Sequence, residues 1–290
     1  MRLVTFSRRG LRSIGVVRSD GIVDLAEGTG AALSMEVFLA LGPEAMERAR
    51  RRADSGAAIP MAEVRLHAPV EQPQKFLAIA ANYQSHIDEV LASNPSYVPP
   101  TSQRWFVKLT SCINGPFDPI LMPRESFELD YEVELAIIIG RRCRRVRAAD
   151  AHEAIAGFTV CNDVSVRDWQ RRSPTIMLGK SFDTHGPLGP WLVTPDEIAD
   201  PHTLTMTCTV NGELRQSGST AEMIANCYEQ VEYLSTVCTL EPGDVIATGT
   251  PSGTAGSSKP PRYLKPGDVV RCEVERVGAI EAVVRPEERP

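Results

Sequence analysis

No apolar run in these 290 residues approaches the roughly 20 needed for a membrane-crossing helix. The cysteines are odd in number, seven, and none forms a Cys-x-x-Cys pair, which argues against a disulfide framework or a zinc site. Cys112, Cys161, Cys208, Cys238 and Cys272 lie in or beside apolar stretches, where a thiol behaves as a small hydrophobe. Positive charge is not in excess either: the net charge is −6, and no basic stripe with interleaved aromatics occurs. A nucleic-acid surface is therefore not expected. The one dense basic run, Arg141-Arg142-Cys143-Arg144-Arg145, reads as a solvated loop after a strand ending at Gly140. The apolar part of Met1–Gly10 is too short for a signal peptide. A cytoplasmic protein without a membrane or nucleic-acid partner is the expectation.

Three carboxylates stand out against this background. Glu132 and Glu134 lie in Asp130-Tyr131-Glu132-Val133-Glu134-Leu135, and Asp163 lies in Cys161-Asn162-Asp163-Val164-Ser165. Each adjoins an apolar stretch, and burying an unpaired charge costs several kcal/mol or more. On a strand, residues two apart share a face about 7 Å apart. Glu132 and Glu134 can converge if the strand twists or bulges, and Asp163 from a neighbouring strand end completes an all-oxygen cage. Such a cage suits Mg²⁺ or Mn²⁺ first and Ca²⁺ next.

Organisation follows from turns and periodicity. Residues 1–70 read as a small N-terminal β/α module, with short strands at Leu3 to Phe6, Ser13 to Val17 and Ile22 to Leu25. Helical periodicity runs from Ser34 to Arg52 and is broken at Gly42-Pro43. Residues 71–290 read as one β-rich catalytic domain. Its expected strands include Lys75 to Ala81, Trp105 to Leu109, Glu132 to Gly140 and Gly157 to Cys161. A hairpin turns at Asn211-Gly212, and two Pro-Gly-Asp turns, 242–244 and 266–268, feed strands. Ser85 with Asp88 reads as a capping box opening a helix to about Ala92. Thr220 to Val237 reads as the longest helix. No flexible linker separates the two parts at Pro69 to Gln74.

Further motifs line up in order: Asn82-Tyr83 with His86, Phe106-x-Lys108, the two acidic motifs above, and Arg167-Asp168 with Gln170. After them come Gly179-Lys180-Ser181-Phe182-Asp183, Gly186-Pro187-x-Gly189-Pro190-Trp191 and Thr248-Gly249-Thr250-Pro251-x-Gly253. In this combination the chain resembles the fumarylacetoacetate hydrolase family, in its short bacterial branch. One departure is an alanine where a glycine is usual, in Ala78-Ile79-Ala80-Ala81.

The resemblance implies a mixed β-rich α+β fold, a sandwich-like β roll with helices outside, and a homodimer. It implies Mg²⁺ or Mn²⁺ on Glu132, Glu134 and Asp163, and a small anionic 2-oxo acid as substrate. By position alone, Lys180 reads equally as a solvated turn lysine or a site lysine, and Arg167 as a solvated helix residue beside Arg171 and Arg172. The resemblance makes Lys180 catalytic and substrate-binding, and Arg167, Gln170 and Thr250 substrate-binding. His86 and Glu89 share a helix face. Alone they read as ordinary surface groups; in the family the matching pair activates water, the carboxylate orienting the imidazole that takes the proton. Tyr97 and Trp105 are candidates for the substrate wall, and His185 reads as structural.

The function expected first is metal-dependent hydrolysis of a C–C bond in a 2,4-diketo acid or acylpyruvate-like compound. The second is decarboxylation or keto–enol isomerisation of a 2-oxo dicarboxylic acid of aromatic degradation. The third is non-catalytic binding of a 2-oxo acid, against which the His-x-x-Glu pair argues.

Overall fold

The computed structural model describes residues 1–26 and 33–288. Its centre is the strand Val133–Ile139, every residue of which is buried. Side chains alternate across a strand. Leu135 and Ile137 face a second sheet, while Ala136 and Ile138 face helices. A strand covered on both faces reads as continuous apolar sequence, which is why Leu135 to Ile139 shows no alternation.

This strand pairs antiparallel with Ile155–Asn162 on one side and Val245–Ala247 on the other. Beyond Val245–Ala247 lie Phe76–Ala80, parallel, and then Arg104–Lys108 at the edge. Beyond Ile155–Asn162 lies Gly186–Val193, which pairs with Arg2–Arg8. The N-terminal strands Arg2–Arg8, Leu11–Arg18 and Gly21–Asp24 thus continue the same 12-stranded sheet. A five-stranded sheet packs on one face, in the order Glu213–Ser219, Thr205–Val210, Val269–Val274, Gly278–Pro286 and Ile120–Met122. Met206, Cys208, Cys272 and Ile280 of that sheet join Leu135, Ile137 and Phe158 in one core. The helices Met35–Ala40 and Pro43–Ser55 cover part of the other face through Phe38, Leu39, Ala45 and Ala49. The result is the β-rich α+β sandwich expected from the sequence. Among the described residues, no helix is long and apolar enough to cross a membrane.

Two helix readings are corrected. The helix after Asn82-Tyr83 spans Gln84–Ser93 with Tyr83 at its N-cap and no side-chain cap. Ser85 Oγ is buried without a hydrogen-bond partner, and Asp88 accepts from Gln84 Nε2 at 2.8 Å. Burial of Tyr83 fixes this helix start, so the local Ser85–Asp88 signal is overridden. The second helix begins at Cys227, not Thr220. Ser219 with Glu222 and Asn226 with Glu229 form two successive capping boxes. The first opens only a 3₁₀ turn, Thr220–Glu222, before the chain straightens. The helix Cys227–Val237 has 11 residues and is shorter than Pro43–Ser55 with 13.

Candidate active site

The acidic cage is built by strand register. Val133 lies opposite Asn162 and Glu134 opposite Cys161. Past the end of this ladder, Asp163 N–H donates to Glu132 O at 2.9 Å, and Glu132 N–H donates to the Asn162 side-chain oxygen at 3.0 Å. These bonds hold the three carboxylates together on the helix side of the large sheet. Glu132, Glu134 and Asp163 each present an oxygen within 4.8 Å of the others, and all three are buried.

Buried carboxylates need cations. Lys180 Nζ lies 2.6 Å from Glu132 Oε2 and 2.7 Å from Asp163 Oδ2. Lys108, fully buried, reaches Asp163 Oδ1 at 2.7 Å and donates to the Lys180 carbonyl. Arg167 pairs with Asp130 at 2.8 Å and with Glu132 at 2.7 Å. Burial alone would raise the Glu132 carboxyl, but Lys180 and Arg167 outweigh it and hold it at about 2. Glu134 is different. Gly249 N–H donates to it at 2.8 Å, and it forms no ion pair among the described residues, although the charge of Lys180 acts on it from further off. Burial and the charges of Asp163 and Glu132 push its carboxyl well above the ordinary range. A compact all-oxygen donor set with one uncompensated buried carboxylate fits a hard divalent cation.

Two turns deliver the remaining groups. Gly179 sits in the turn Met177–Lys180, and a Cβ there would lie 2.3 Å from Gln170 N. Only glycine lets this turn pack onto the helix Arg167–Gln170 and carry Lys180 inward. Ile176, just before it, has φ 53°, a left-handed conformation that is strained for a β-branched residue. Gly249, at φ 96°, approaches Asn82 closely enough that a Cβ would stand 2.9 Å from the Asn82 Cβ. Asn82 itself ties the Ala225 and Thr248 carbonyls together.

An inner chamber of about 60 Å³ opens over the cage, lined by Glu132, Glu134, Lys180, Arg167, Phe106 and His86 among others. It adjoins an outer cavity of about 730 Å³. His86, Arg167 and Gln170 line both spaces, as do Ala80, Ala81 and Ile176. His86 Nδ1 lies 3.4 Å from Glu89 Oε2, and Glu89 Oε1 accepts from Gly253 N–H at 2.9 Å. Burial works to raise the Glu89 carboxyl, yet these two donors bring it below its ordinary value. Glu89 is the acid beside His86, as read from the sequence, although the cap assigned to Asp88 does not exist.

Gln170 turns its side-chain oxygen to Arg167 Nη1, 2.8 Å. Thr250 lines the inner chamber, but its hydroxyl donates to the Val133 carbonyl at 2.9 Å and accepts from Gln216 at 2.8 Å. The hydroxyl proton is thus engaged within the protein. Tyr97 lines the outer cavity; Trp105 does not, and its Nε1–H donates to Gln103. His185 is fully buried, and its Nε2–H donates to the Leu121 carbonyl at 2.8 Å. The sequence reading missed Lys108 and Asp130. Strand parity held the signal for Lys108: it shares a face with Phe106, so the edge strand points a lysine inward.

These features define a buried acidic cage, set among three cations and open to a cavity through His86, Arg167 and Gln170. The chain belongs to the fumarylacetoacetate hydrolase family: the model described as "Fumarylacetoacetate (FAA) hydrolase C-terminal" matches residues 75–285. It is 43% identical over 289 residues to the oxaloacetate tautomerase FAHD2B, mitochondrial, of Bos taurus, covering 97% of this chain and 90% of that protein. Among solved structures it is similar to the maleylpyruvate hydrolase of Sphingobium sp. SYK-6 in complex with manganese(II) and pyruvate. That likeness has a TM-score of 0.83 and 32% identity over 99% of this chain and 100% of the other. The fumarylacetoacetate hydrolase of Exiguobacterium antarcticum gives 0.84 and 34%, with the same coverage.

Proposed function

We propose that the protein is a divalent-metal-dependent tautomerase that interconverts the keto and enol forms of a small 2-oxo dicarboxylic acid of the oxaloacetate type. The observation that carries this reading is the place of His86. Of the six residues lining both spaces, it alone bears a side chain suited to moving a proton; Arg167 stays charged and is held by Asp130 and Glu132. The 43% identity to a protein named oxaloacetate tautomerase supports the same reaction.

The residues divide the work as follows. Glu132, Glu134 and Asp163 would hold Mg²⁺ or Mn²⁺. When bound, that ion supplies Lewis-acid polarisation of a 2-oxo group. Lys180 and Arg167 set positive charge where the substrate carboxylate enters. Glu89 fixes the imidazole through Nδ1, leaving Nε2 for chemistry. His86 takes a proton from the carbon next to the 2-oxo group, the C–H electron pair forms the C=C bond as the C=O π pair moves onto oxygen, and the imidazolium returns that proton to the oxygen, directly or through water. The reverse sequence regenerates the ketone, so no C–C bond is cleaved and no water is consumed.

A second reading is hydrolysis of an acylpyruvate, with His86 taking its proton from water. The 730 Å³ outer cavity favours it, since a four-carbon acid needs far less room. One experiment separates the two: enol absorbance decay of oxaloacetate and cleavage of acylpyruvates, each with Mg²⁺ or Mn²⁺, in wild type and His86→Ala. The expected result is tautomerisation that falls by about 10²-fold or more in the variant, with metal binding retained. Acylpyruvate cleavage without tautomerisation would replace the first reading with the second.

A further inference from the structure

We propose that Arg104 is a specificity-determining residue of this site, and that its guanidinium receives the second carboxylate of a dicarboxylic 2-oxo acid. The inference deepens the proposed function and rests on its placement of the oxo-acid head in the inner chamber. The strand Arg104–Lys108 carries Arg104, Phe106 and Lys108 on one face. Lys108 ends on Asp163 of the cage, Phe106 walls the inner chamber, and Arg104 lines the outer cavity. From the rise of a strand, about 13 Å separates the first and last of these along the backbone. Arg104 pairs in the ladder with Ala80, which lines both spaces, so it stands beside the passage between them.

Charge makes the assignment. The whole chain has more acids, 37, than lysines and arginines, 31. Even so, the charged residues of the outer cavity are Arg104, Arg167 and Arg171, and no carboxylate lines it. Arg167 is taken by Asp130 and Glu132, and Arg171 by Glu128 at 2.6 Å. Arg104 meets no carboxylate among the described residues. A guanidinium left without a counter-ion, one strand face away from an oxo-acid site, suits a planar anion held by two hydrogen bonds. A monocarboxylic 2-oxo acid of the same length leaves it unused.

The test compares 2-oxo acids of matched length: oxaloacetate with 2-oxobutyrate, 2-oxoglutarate with 2-oxopentanoate, and 2-oxoadipate with 2-oxohexanoate. Exchange of the C3 hydrogens for deuterium is followed by NMR in Mn²⁺- or Mg²⁺-loaded wild type, Arg104→Gln and Arg104→Lys. In Arg104→Gln, kcat/KM for at least one dicarboxylic acid should fall about tenfold or more through KM. The monocarboxylic partner should be unchanged, and Arg104→Lys should recover part of the loss. Equal effects on both members of every pair, or none on any dicarboxylic acid, would overturn the proposal. If wild type exchanges none of the six, the tautomerase reading fails instead. Calorimetric titration of the same acids then decides: Arg104 stands if Arg104→Gln weakens only dicarboxylic binding, and falls otherwise.

Discussion

Glu132 and Glu134 are chemically alike and two residues apart, yet their replacement by glutamine should act with opposite sign on the metal-free protein. Glu132 is the counter-ion of two buried cations, Lys180 and Arg167, at 2.6 and 2.7 Å. Removing one partner of a buried pair costs about 3–5 kcal/mol. Lys180 keeps Asp163 and Arg167 keeps Asp130, so the lower end of that range, about 3 kcal/mol, is expected for Glu132→Gln. Glu134 has no ion-pair partner to strand, and when ionised its charge faces two other carboxylates. Glutamine removes that repulsion and still offers an oxygen to Gly249 N–H. Glu134→Gln should therefore leave the metal-free stability unchanged or raise it by about 1 kcal/mol. Urea unfolding in the presence of a chelator measures both. Titration with Mn²⁺ then reverses the ranking. A site binding tenfold more weakly gains about 1.4 kcal/mol less from saturating metal, and Glu134→Gln should lose at least that much of the wild-type metal stabilisation. If Glu134→Gln destabilises the metal-free protein as much as Glu132→Gln does, the charge assignment is wrong. If Mn²⁺ stabilises it as fully as wild type, Glu134 is not a ligand.

Two further outcomes test the surroundings. Ala81, at φ 57°, occupies the left-handed region beside the chamber, so Ala81→Gly should raise the thermal midpoint, with a gain near 1 kcal/mol set by relief of the Cβ clash; a lowered midpoint would show that φ there is not strained. His67 is held neutral, first by burial and then by Arg12 and Arg65, and its imidazole is lowered from 6.5 to about 4. The unfolded chain thus takes up the proton first as pH falls, and the stability due to neutral His67 is whole above pH 6.5 and lost between there and about 4. Denaturant midpoints at pH 7.5 and 4.5 should differ less in His67→Gln than in wild type, and an equal difference would refute the linkage.

The alanine at position 81 shows how far the sequence reached. The resemblance marks a glycine as usual somewhere in Ala78-Ile79-Ala80-Ala81, and of these four residues the structure gives a positive φ to Ala81. Turn chemistry was equally legible. Asn211 and Gly212 take φ 53° and 78°, the pair of positive angles that a two-residue hairpin requires. In both Pro-Gly-Asp turns the glycine is left-handed and the aspartate accepts a backbone N–H three residues back, at 2.7 Å in Asp244 and 2.8 Å in Asp268. Such features depend on a few adjacent residues, so the sequence alone exposes them. What stayed hidden depends on distant partners. Thr250 looked free because Val133 O and Gln216, which engage its hydroxyl, lie far away in the chain. Ser85 looked like a cap because nothing local announces that Tyr83 is buried against Met206. Lys108 belonged to a quoted motif, but its role appears only when the edge strand is seen to turn that face onto Asp163.

The cations also change the charge balance of the cage, and with it the order of events. Three carboxylates and a divalent ion alone would leave one negative charge, hostile to an anionic substrate. The structure adds Asp130 to the acids and Lys108, Lys180 and Arg167 to the bases, four negative charges against three positive. With all four acids ionised the sum is minus one; without metal, burial and the neighbouring carboxylates favour a protonated Glu134, which brings the sum to zero and leaves no positive charge for an entering carboxylate. With the four acids ionised, a divalent ion shifts the sum to plus one, which a single carboxylate of a 2-oxo acid neutralises. The metal and the acid head each supply the charge the other lacks. Each should raise the affinity for its counterpart by the same factor, since coupling between two binding sites is reciprocal.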